Sequence, residues 1–164
     1  LYMGQKLQLL VYMCAVVQNF GFKPAGMYYF KLHDNFVDKG AEDKAYKYIG
    51  RTIADKDVIA DIDTVFCQNN ASARLGVSLN KDGTLRKSKS LLTEEQMDAE
   101  LKYALKSIER AGELMLDGCI SVTPFENACD YCDFCDICGI GDVYDARPRK
   151  KISADAEKIT EITK

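Results

Sequence analysis

Four of the seven cysteines lie within ten residues of one another near the end of the chain. They are Cys129, Cys132, Cys135 and Cys138, and two residues separate each cysteine from the next. Cysteines at this spacing can direct two thiolates to one metal centre, which is why the pattern recurs in zinc and iron–sulfur sites. Without a metal, four neighbouring thiolates would repel one another and oxidise readily. The run therefore predicts a metal or cluster site.

The spacing leaves the identity of the metal open. Structural zinc sites usually place two such cysteine pairs about a dozen or more residues apart, and this run has no such gap. Three consecutive steps are closer to the bacterial ferredoxin run, although Gly139 stands where that run has a proline. The interleaved Asp130, Asp133 and Asp136 would tend to hold a cluster's potential low, which suits a structural cluster. An iron–sulfur cluster is the first expectation, and zinc is the alternative.

The other three cysteines do not suggest a disulfide framework. Cys14, Cys67 and Cys119 are scattered, the total count is odd, and the sequence carries no secretion signal. We expect Cys14 and Cys67 to be buried as small apolar residues. Cys119 is a weak candidate ligand, ten residues before the cysteine run. This cysteine usage favours a reducing cytoplasm.

Composition limits the other classes of protein. Of the 164 residues, 47% are hydrophobic and 29% are charged, which is typical of one globular domain. The net charge of −3 excludes a surface coated in positive charge, so any contact with nucleic acid must be local. The longest apolar stretch, Leu7 to Val17, is too short to span a bilayer. Because the chain starts at Leu1 without the features of a signal peptide, we expect a piece of a longer protein.

The elements that must position the cysteines begin with an apolar helix over Gly4–Phe20, which we expect to be buried. Gly21 is a stop signal, and the aromatic segment Ala25–Leu32 indicates a strand. Tyr46–Ile53 is a second strand or a short helix, and Asp55–Phe66 has helical spacing.

The second half of the chain has clearer signals. The Asp82-Gly83 pair predicts a hairpin that joins segments 75–79 and 84–86. Thr93 to Gln96 matches the capping box, so we expect a helix from there to about Asp117, stopped by Gly118. Ser153 caps a short last helix, or the tail frays.

The opening helix and strand resemble the RecB family of nucleases. Gly4, Gln8 and Tyr12 match the G-x-x-x-Q-x-x-x-Y helix of that family. Residues 24–30 (PAGMYYF) resemble the next strand in the AddB-type subunit of bacterial ATP-dependent helicase-nucleases. The resemblance implies that Gln8 and Tyr12 lie beside the active site and touch DNA. The alternative is a partly buried polar pair that satisfies nearby backbone groups.

The cysteine run adds to this resemblance. Cys129, Cys132 and Cys138 match the C-x2-C-x5-C element that closes the nuclease domain of AddB-type subunits, and Arg147 matches its trailing arginine. The resemblance implies that these three cysteines, with one far upstream, hold a 4Fe–4S cluster that acts as a clasp. Cys135 has no counterpart in the pattern. It is either a spare thiol or a candidate for the fourth ligand position.

The resemblance also implies the fold and its boundaries. We expect an α/β (α+β) chain that forms part of a PD-(D/E)xK nuclease fold, with a mixed sheet flanked by helices and a C-terminal cysteine-rich loop. Residues 1–149 would be the C-terminal portion of the nuclease domain, and residues 150–164 its tail. In the family, the metal-binding Asp and the D-x-K strand precede the Gln/Tyr helix, so Mg2+ would bind upstream and this chain alone would be inactive. Asp34 and Glu42-Asp43-Lys44 imitate the motif, but the polar stretch around Glu42 indicates a solvated loop.

The implied activity is the hydrolysis of DNA ends by a nuclease subunit that works with an AddA-type helicase partner in recombinational repair. Arg147, Arg149 and Lys150 are candidate phosphate contacts after the cysteines. A second basic group surrounds the hairpin, and for both groups ordinary solvated charge is the alternative; its members are Lys81, Arg86, Lys87 and Lys89.

Aromatic residues are further candidates for contacts with DNA, and two other classes of protein stay open. Tyr28 and Tyr29 could stack on single-stranded bases, although strand aromatics more often form core. His33, the single histidine, is expected at the surface without a role. The alternatives are a ferredoxin-like redox module, which the cysteine run favours, and a zinc-stapled interaction domain without catalysis.

Overall fold

The structure is a computed structural model that describes residues 7–30, 46–138, 140 and 156–163. Helices and strands are interspersed through this part of the chain. The helices are α1 (Gln8–Phe20), α2 (Lys56–Ile62), α3 (Val65–Asn69), α4 (Glu94–Leu116), α5 (Cys135–Cys138) and α6 (Ala156–Thr163). The strands are β1 (Gly26–Phe30), β2 (Tyr48–Ile53), β3 (Ala71–Ser72), β4 (Val77–Ser78) and β5 (Leu91–Leu92).

The main sheet has three strands in the order β1–β2–β5. β1 and β2 are antiparallel, with Met27 opposite Arg51, whereas β2 and β5 are parallel, with Ile53 opposite Leu92. β3 and β4 form a separate antiparallel pair. The expected mixed sheet flanked by helices is therefore confirmed in the described residues.

β1 and β2 approach each other most closely at Gly50. A side chain at Gly50 would collide with the carbonyl oxygen of Met27, so the strand needs a glycine there. Gly50 faces Tyr28, whose ring packs against that of Tyr48 with 5.6 Å between the ring centroids. The segment left open between strand and helix is thus a strand, which begins at Tyr48.

Helices α1 and α4 cover one face of the sheet. The thiol of Cys14 donates a 3.7 Å hydrogen bond to the carbonyl oxygen of Leu101, and its burial raises the pKa of Cys14, so it packs as a neutral group. The prediction that Cys14 is buried is confirmed. Helix α6 packs against α4 and adds Ala156. The buried core on this face consists of Leu10, Cys14, Met27, Ile53, Leu92, Met97, Leu101, Ala104 and Ala156.

The opposite face carries a second core, formed by Ile59, Phe66, Leu75 and Val77. The single helix expected over Asp55–Phe66 is wrong, because the chain leaves the helical conformation at Asp63 between α2 and α3. The buried Asp63 carboxylate accepts hydrogen bonds from the Ser72 hydroxyl at 2.5 Å and from the Val65 backbone at 3.2 Å. These contacts favour a break in the helix.

Helix α4 begins and ends where the sequence predicts. The Thr93 hydroxyl accepts from the Gln96 backbone, and the Gln96 carboxamide oxygen accepts from the Thr93 backbone. This reciprocal pair is the predicted capping box. After the helix, Gly118 adopts a left-handed conformation with φ +67°, as expected of a stop signal.

The predicted hairpin is also confirmed, with shorter strands. Leu79 bridges Leu85, and the Asn80 backbone donates to the Thr84 carbonyl oxygen at 2.7 Å. In the turn, Asp82 accepts hydrogen bonds from the side chain and backbone of Thr84, which lower the pKa of the Asp82 carboxyl group. Within the hairpin, the only segment in a regular strand is β4 (Val77–Ser78). One edge of β4 faces the second arm of the hairpin, and the other edge pairs with β3.

Two expectations about burial are wrong. Helix α1 is not buried all round, because Tyr12, Val16 and Phe20 are exposed and its fully buried residues are Leu10 and Cys14. Cys67 is exposed rather than buried, because α3 directs the adjacent Phe66 into the core instead.

No helix within the described residues is long and apolar enough to cross a membrane.

Several residues singled out in the sequence lie outside the described part of the chain. The residues that are not described include Gly4, His33, Asp34, Glu42, Asp43, Lys44 and Ser153.

Candidate functional site

Gln8 and Tyr12 lie one turn apart in the first half of α1. The Gln8 Nε2 atom donates a 2.9 Å hydrogen bond to the hydroxyl oxygen of Tyr12. Both side chains are exposed, and Tyr12 keeps 58% of its accessible surface. The alternative of a partly buried pair bonded to backbone does not fit this geometry. The two side chains instead form a joined polar group on the surface.

This polar group lies across α1 from the core. Residues two apart on a helix point about 200° from each other, so Gln8 and Tyr12 face away from the buried Leu10 between them. The carboxamide oxygen of Gln8 can still accept a hydrogen bond, and the Tyr12 hydroxyl can still donate one. The pair could therefore contact a phosphate, a base or a metal-bound water approaching from the outer side of α1.

The cysteine segment follows α4 and consists of turns and one short helix. The backbone of Cys132 donates to the carbonyl oxygen of Cys129 at 3.3 Å, and the backbone of Cys138 donates to that of Phe134 at 2.9 Å. Cys129 and Cys138 are half-buried, whereas Cys132 is exposed, and all three are free thiols. Cys135 begins α5. The thiols of Cys129, Cys132 and Cys138 thus all keep some exposure to solvent.

The donor chemistry of this segment suits a cluster or zinc, because cysteine thiolates are the ligands that both prefer. The described side chains are not arranged around a common point, however. Among them, no three histidine, cysteine, aspartate or glutamate groups are placed to hold a metal ion. Cys129, Cys132 and Cys138 fit such a group by residue type, and this segment would have to rearrange to bind it.

Cys119 lies just beyond Gly118 and is exposed. Hydrogen bonds from the backbone and then the side chain of Ser121 lower the pKa of the Cys119 thiol. These bonds favour the thiolate, which is the form that binds metals. Nothing in the described geometry places this thiol with the other three in a metal-binding group.

Arg51 and Glu100 form a pair that the sequence analysis did not single out. The Arg51 Nη1 atom lies 3.1 Å from Glu100 Oε1 and donates a 3.2 Å hydrogen bond to the carbonyl oxygen of Lys89. Glu100 is almost fully buried, with 1% of its side chain exposed, and the ion pair lacks hydrogen-bond geometry at Oε1. Burial therefore raises the pKa of Glu100, although the charge of Arg51 opposes that shift.

A sequence signal for this pair exists only in part. Glu100 stands between apolar positions on the buried side of a helix with a clear periodicity, where a carboxylate needs a partner. Its partner comes from β2, and no spacing rule relates the two residues. A cavity of about 280 Å³ adjoins the pair and is walled mainly by Leu9, Met27, Tyr29 and Ile49.

Of the cations predicted to contact phosphates, the hairpin group is described and the C-terminal group is not. Lys87 and Lys89 line a second cavity, of about 330 Å³, together with Arg51. The remaining predicted contacts lie outside the described residues; they are Arg147, Arg149 and Lys150. Of the two candidate stacking rings, Tyr28 packs in the core and Tyr29 is exposed.

Residues 2–139 match the family described as the PD-(D/E)XK nuclease superfamily. The matched range runs from before the Gln8–Tyr12 pair to just beyond Cys138. The described mixed sheet with flanking helices agrees with this match. The catalytic motif that gives the superfamily its name binds a metal ion through acidic side chains. Among the described residues, no three acidic, histidine or cysteine side chains are placed to hold one.

Several curated relatives are named as the B-type subunit of an ATP-dependent helicase/deoxyribonuclease. The chain is 33% identical to the protein of that name from Caldanaerobacter subterraneus, over 97% of this chain and 15% of the relative. It is 36% identical to that of Clostridium kluyveri, over 79% of this chain and 13% of the relative. It is 28% identical to that of Bacillus subtilis, over 76% and 12%. The chain thus spans less than a sixth of the length of these relatives.

Proposed function

The chain belongs to the PD-(D/E)XK nuclease superfamily, and we propose that it forms the C-terminal part of the nuclease domain in the nuclease subunit of a bacterial helicase-nuclease. The full-length protein would hydrolyse DNA at double-strand ends in the cytoplasm, with an AddA-type helicase subunit as its partner, for recombinational repair. The observation that carries this proposal is the match to the superfamily over residues 2–139. The names of the similar proteins support it.

Gln8 and Tyr12 are the residues of this chain that we assign to the active-site region. Their hydrogen bond fixes both side chains on the outer side of α1, while Leu10 anchors the helix to the sheet from the other side. A pair held in this way can orient a phosphate or a water without moving the core. The catalytic carboxylates of the longer protein would then lie next to the outer side of α1, outside the described core.

We propose that the metal ion of the reaction binds outside the described residues. Nucleases of this superfamily typically use Mg2+, which prefers carboxylate and water oxygens. The described residues offer no group of three that could hold it. The resemblance to RecB-family nucleases implies that the metal-binding Asp and the D-x-K strand precede the Gln8–Tyr12 helix. We propose that Mg2+ binds there in the longer protein, and we expect the isolated chain to be inactive.

Cys129, Cys132 and Cys138 are proposed as three ligands of a 4Fe–4S cluster, with a fourth cysteine from an upstream part of the longer protein. A cluster there would tie distant parts of the domain together and contribute to folding. Cys135 is either a spare thiol or the fourth ligand, and zinc is the alternative metal. A separate redox module fits less well, because the superfamily match runs continuously from α1 through the cysteines.

A nuclease assay on the full-length protein tests the role of Gln8. We expect Gln8→Ala to lower the rate of Mg2+-dependent cleavage of linear DNA by about tenfold or more, because an oriented hydrogen-bonding group is lost. The matched control is Gln18→Ala, since Gln18 is exposed on the same helix. Equal rates for the two variants would remove Gln8 from the site.

Metal analysis after anaerobic purification tests the cysteine assignment. We expect iron and sulfide in the wild-type protein and their loss in Cys132→Ala. The control is Cys67→Ala, because Cys67 is an exposed thiol outside the segment. Zinc without iron would establish the alternative metal, and equal iron loss in both variants would contradict the ligand assignment.

A further inference from the structure

The cavity beside Arg51 has the chemistry of an anion site, and we propose that it holds a phosphate of the DNA backbone. It lies between β5, residues 87–89 and the first turns of α4 and α6. This inference rests on the proposed function and deepens it, because it places part of the substrate strand on this chain. The six polar or charged residues that line the cavity are Arg51, Lys87, Ser88, Lys89, Gln96 and Glu157.

Arg51 supplies a fixed positive group at this cavity. Its side chain is only 30% exposed, and both of its described contacts, to Glu100 and to the Lys89 carbonyl oxygen, involve Nη1. A guanidinium has five N–H donors in one plane, so those on Nη2 and Nε stay available to a ligand. An arginine held in place from behind loses little freedom when it binds a phosphate.

Lys87 and Lys89 add two further positive charges to the lining of the cavity. Both are exposed, and neither forms an ion pair with any described residue. Their segment is tethered at both ends, since Arg86 donates to the Ser78 carbonyl oxygen and Thr52 donates to that of Ser90. These backbone hydrogen bonds hold the segment of the two lysines at the cavity that Arg51 also lines.

One carboxylate opposes this assignment. Glu157, in the first turn of α6, also lines the cavity and would repel an anion. Even with Glu100 counted behind Arg51, the three cations of the lining outnumber the two carboxylates and leave an excess of positive charge. The repulsion by Glu157 provides a test of the assignment. If the cavity holds a DNA phosphate, removal of the Glu157 charge should strengthen DNA binding.

A cation group of this type recognises a phosphodiester without reading sequence. The cavity volume, about 330 Å³, leaves space for a phosphate and part of its sugar. The walls contain Leu91 and Leu92 beside the charged groups.

The experiment measures the binding of labelled oligothymidylate to the full-length protein over a series of KCl concentrations. We expect the double variant Lys87→Gln/Lys89→Gln to raise Kd roughly five- to tenfold, and to lower the slope of log K against log salt by about 0.7 for each phosphate that the variant no longer neutralises. The matched control is Lys102→Gln/Lys106→Gln, which removes two exposed charges of α4 that do not line the cavity. Glu157→Gln should lower Kd about twofold.

Equal Kd values and slopes for the two double variants would overturn the inference, as would weaker binding by Glu157→Gln. A site for the free anion alone would instead show binding of inorganic phosphate that Lys87→Gln/Lys89→Gln weakens, with no change in the Kd for oligothymidylate, and that result would overturn the assignment to a DNA backbone. Failure of the proposed function has a different signature. The wild-type protein would then bind oligothymidylate without any Mg2+-dependent cleavage of DNA.

Discussion

The two halves of α4 share one apolar periodicity and differ in what covers it. In the first half, Met97 and Ala104 are fully buried. In the second half, on the same stripe or its border, Met115 is 80% exposed and Leu116 is 90% exposed. A helical pattern therefore predicts which face seeks burial, and the partner elements decide where burial occurs.

The partners of the first half can be named. Helix α1 contacts it through Cys14 and Leu101, β5 places Leu92 beneath it, and α6 packs along it. Among the described residues, no element covers the second half in the same way, and the cysteine segment begins further along the chain, at Cys129. Helix α4 thus has a first half that packs in the described core and a second half whose apolar side chains stay exposed.

The largest effect expected from this contrast is at Met97. Met97→Ala removes a fully buried side chain from the core shared by α1, the sheet and α4, and it leaves a cavity. We expect the free energy of unfolding to fall by about 2–5 kcal/mol. Urea denaturation of the chain measures the change, and a loss of under about 1 kcal/mol would show that the first half is not packed as described.

A smaller effect is expected at the start of the helix. Thr93→Ala removes the hydroxyl that accepts from the Gln96 backbone and breaks the capping box. The expected loss of stability is about 1 kcal/mol. Thr93→Ser is the matched control, because serine restores the acceptor, and its stability in the same denaturation experiment should return close to that of the wild type.

Glu100 gives the first half of α4 a dependence on pH. Its folded-state pKa is raised above the ordinary 4.5, mainly by burial. The folded chain therefore holds a proton that the unfolded chain has already lost, and stability falls as the pH rises from about 4.5 through the raised pKa. In Glu100→Gln this decline should be smaller, because the buried carboxyl group that takes up the proton is absent.

Denaturation midpoints of both proteins across that pH range check the prediction. Arg51 is partly exposed and can be solvated by water when its partner is neutral. Parallel pH profiles for the wild type and Glu100→Gln would mean that another group causes the decline. A steeper profile in the variant would contradict the direction of the shift.

The smallest effect is expected in the second half of α4. Met115→Ala removes a side chain that is mostly exposed, so the free energy of unfolding should change by no more than about 0.5 kcal/mol. The same denaturation experiment used for Met97→Ala gives the comparison directly. A loss as large as that of Met97→Ala would end the distinction between the two halves.

The parts of the fold that could be predicted from sequence are those with local causes. Thr93 and Gln96 define the start of α4 through contacts within one turn, and Gly118 defines its end through its own backbone conformation. The break at Asp63 was harder to predict, because one of the two hydrogen bonds that favour it comes from Ser72 in another element. The two-residue strand β5 is also too short for a periodicity and is defined by its parallel pairing to β2.

The same division holds for the candidate sites. Gln8 and Tyr12 were visible in the sequence because a helix brings residues four apart together. Lys87 and Lys89 were visible as part of a basic group, but Arg51 was not, since the sheet and Glu100 bring it to them. The spacing of the cysteines predicts that they bind a metal. Whether their thiolates come together around one metal depends on residues distant in sequence, which the spacing does not reveal.

The most direct test of the account is the Mg2+-dependent hydrolysis of end-labelled linear duplex DNA, measured for the full-length protein with its helicase partner and for the 164-residue chain alone. We expect the full-length protein to release labelled products in Mg2+ and none in EDTA, and we expect no release by the isolated chain. An inactive full-length protein would contradict the proposed nuclease. Cleavage by the isolated chain at a similar rate would contradict the assignment of the catalytic carboxylates to upstream residues.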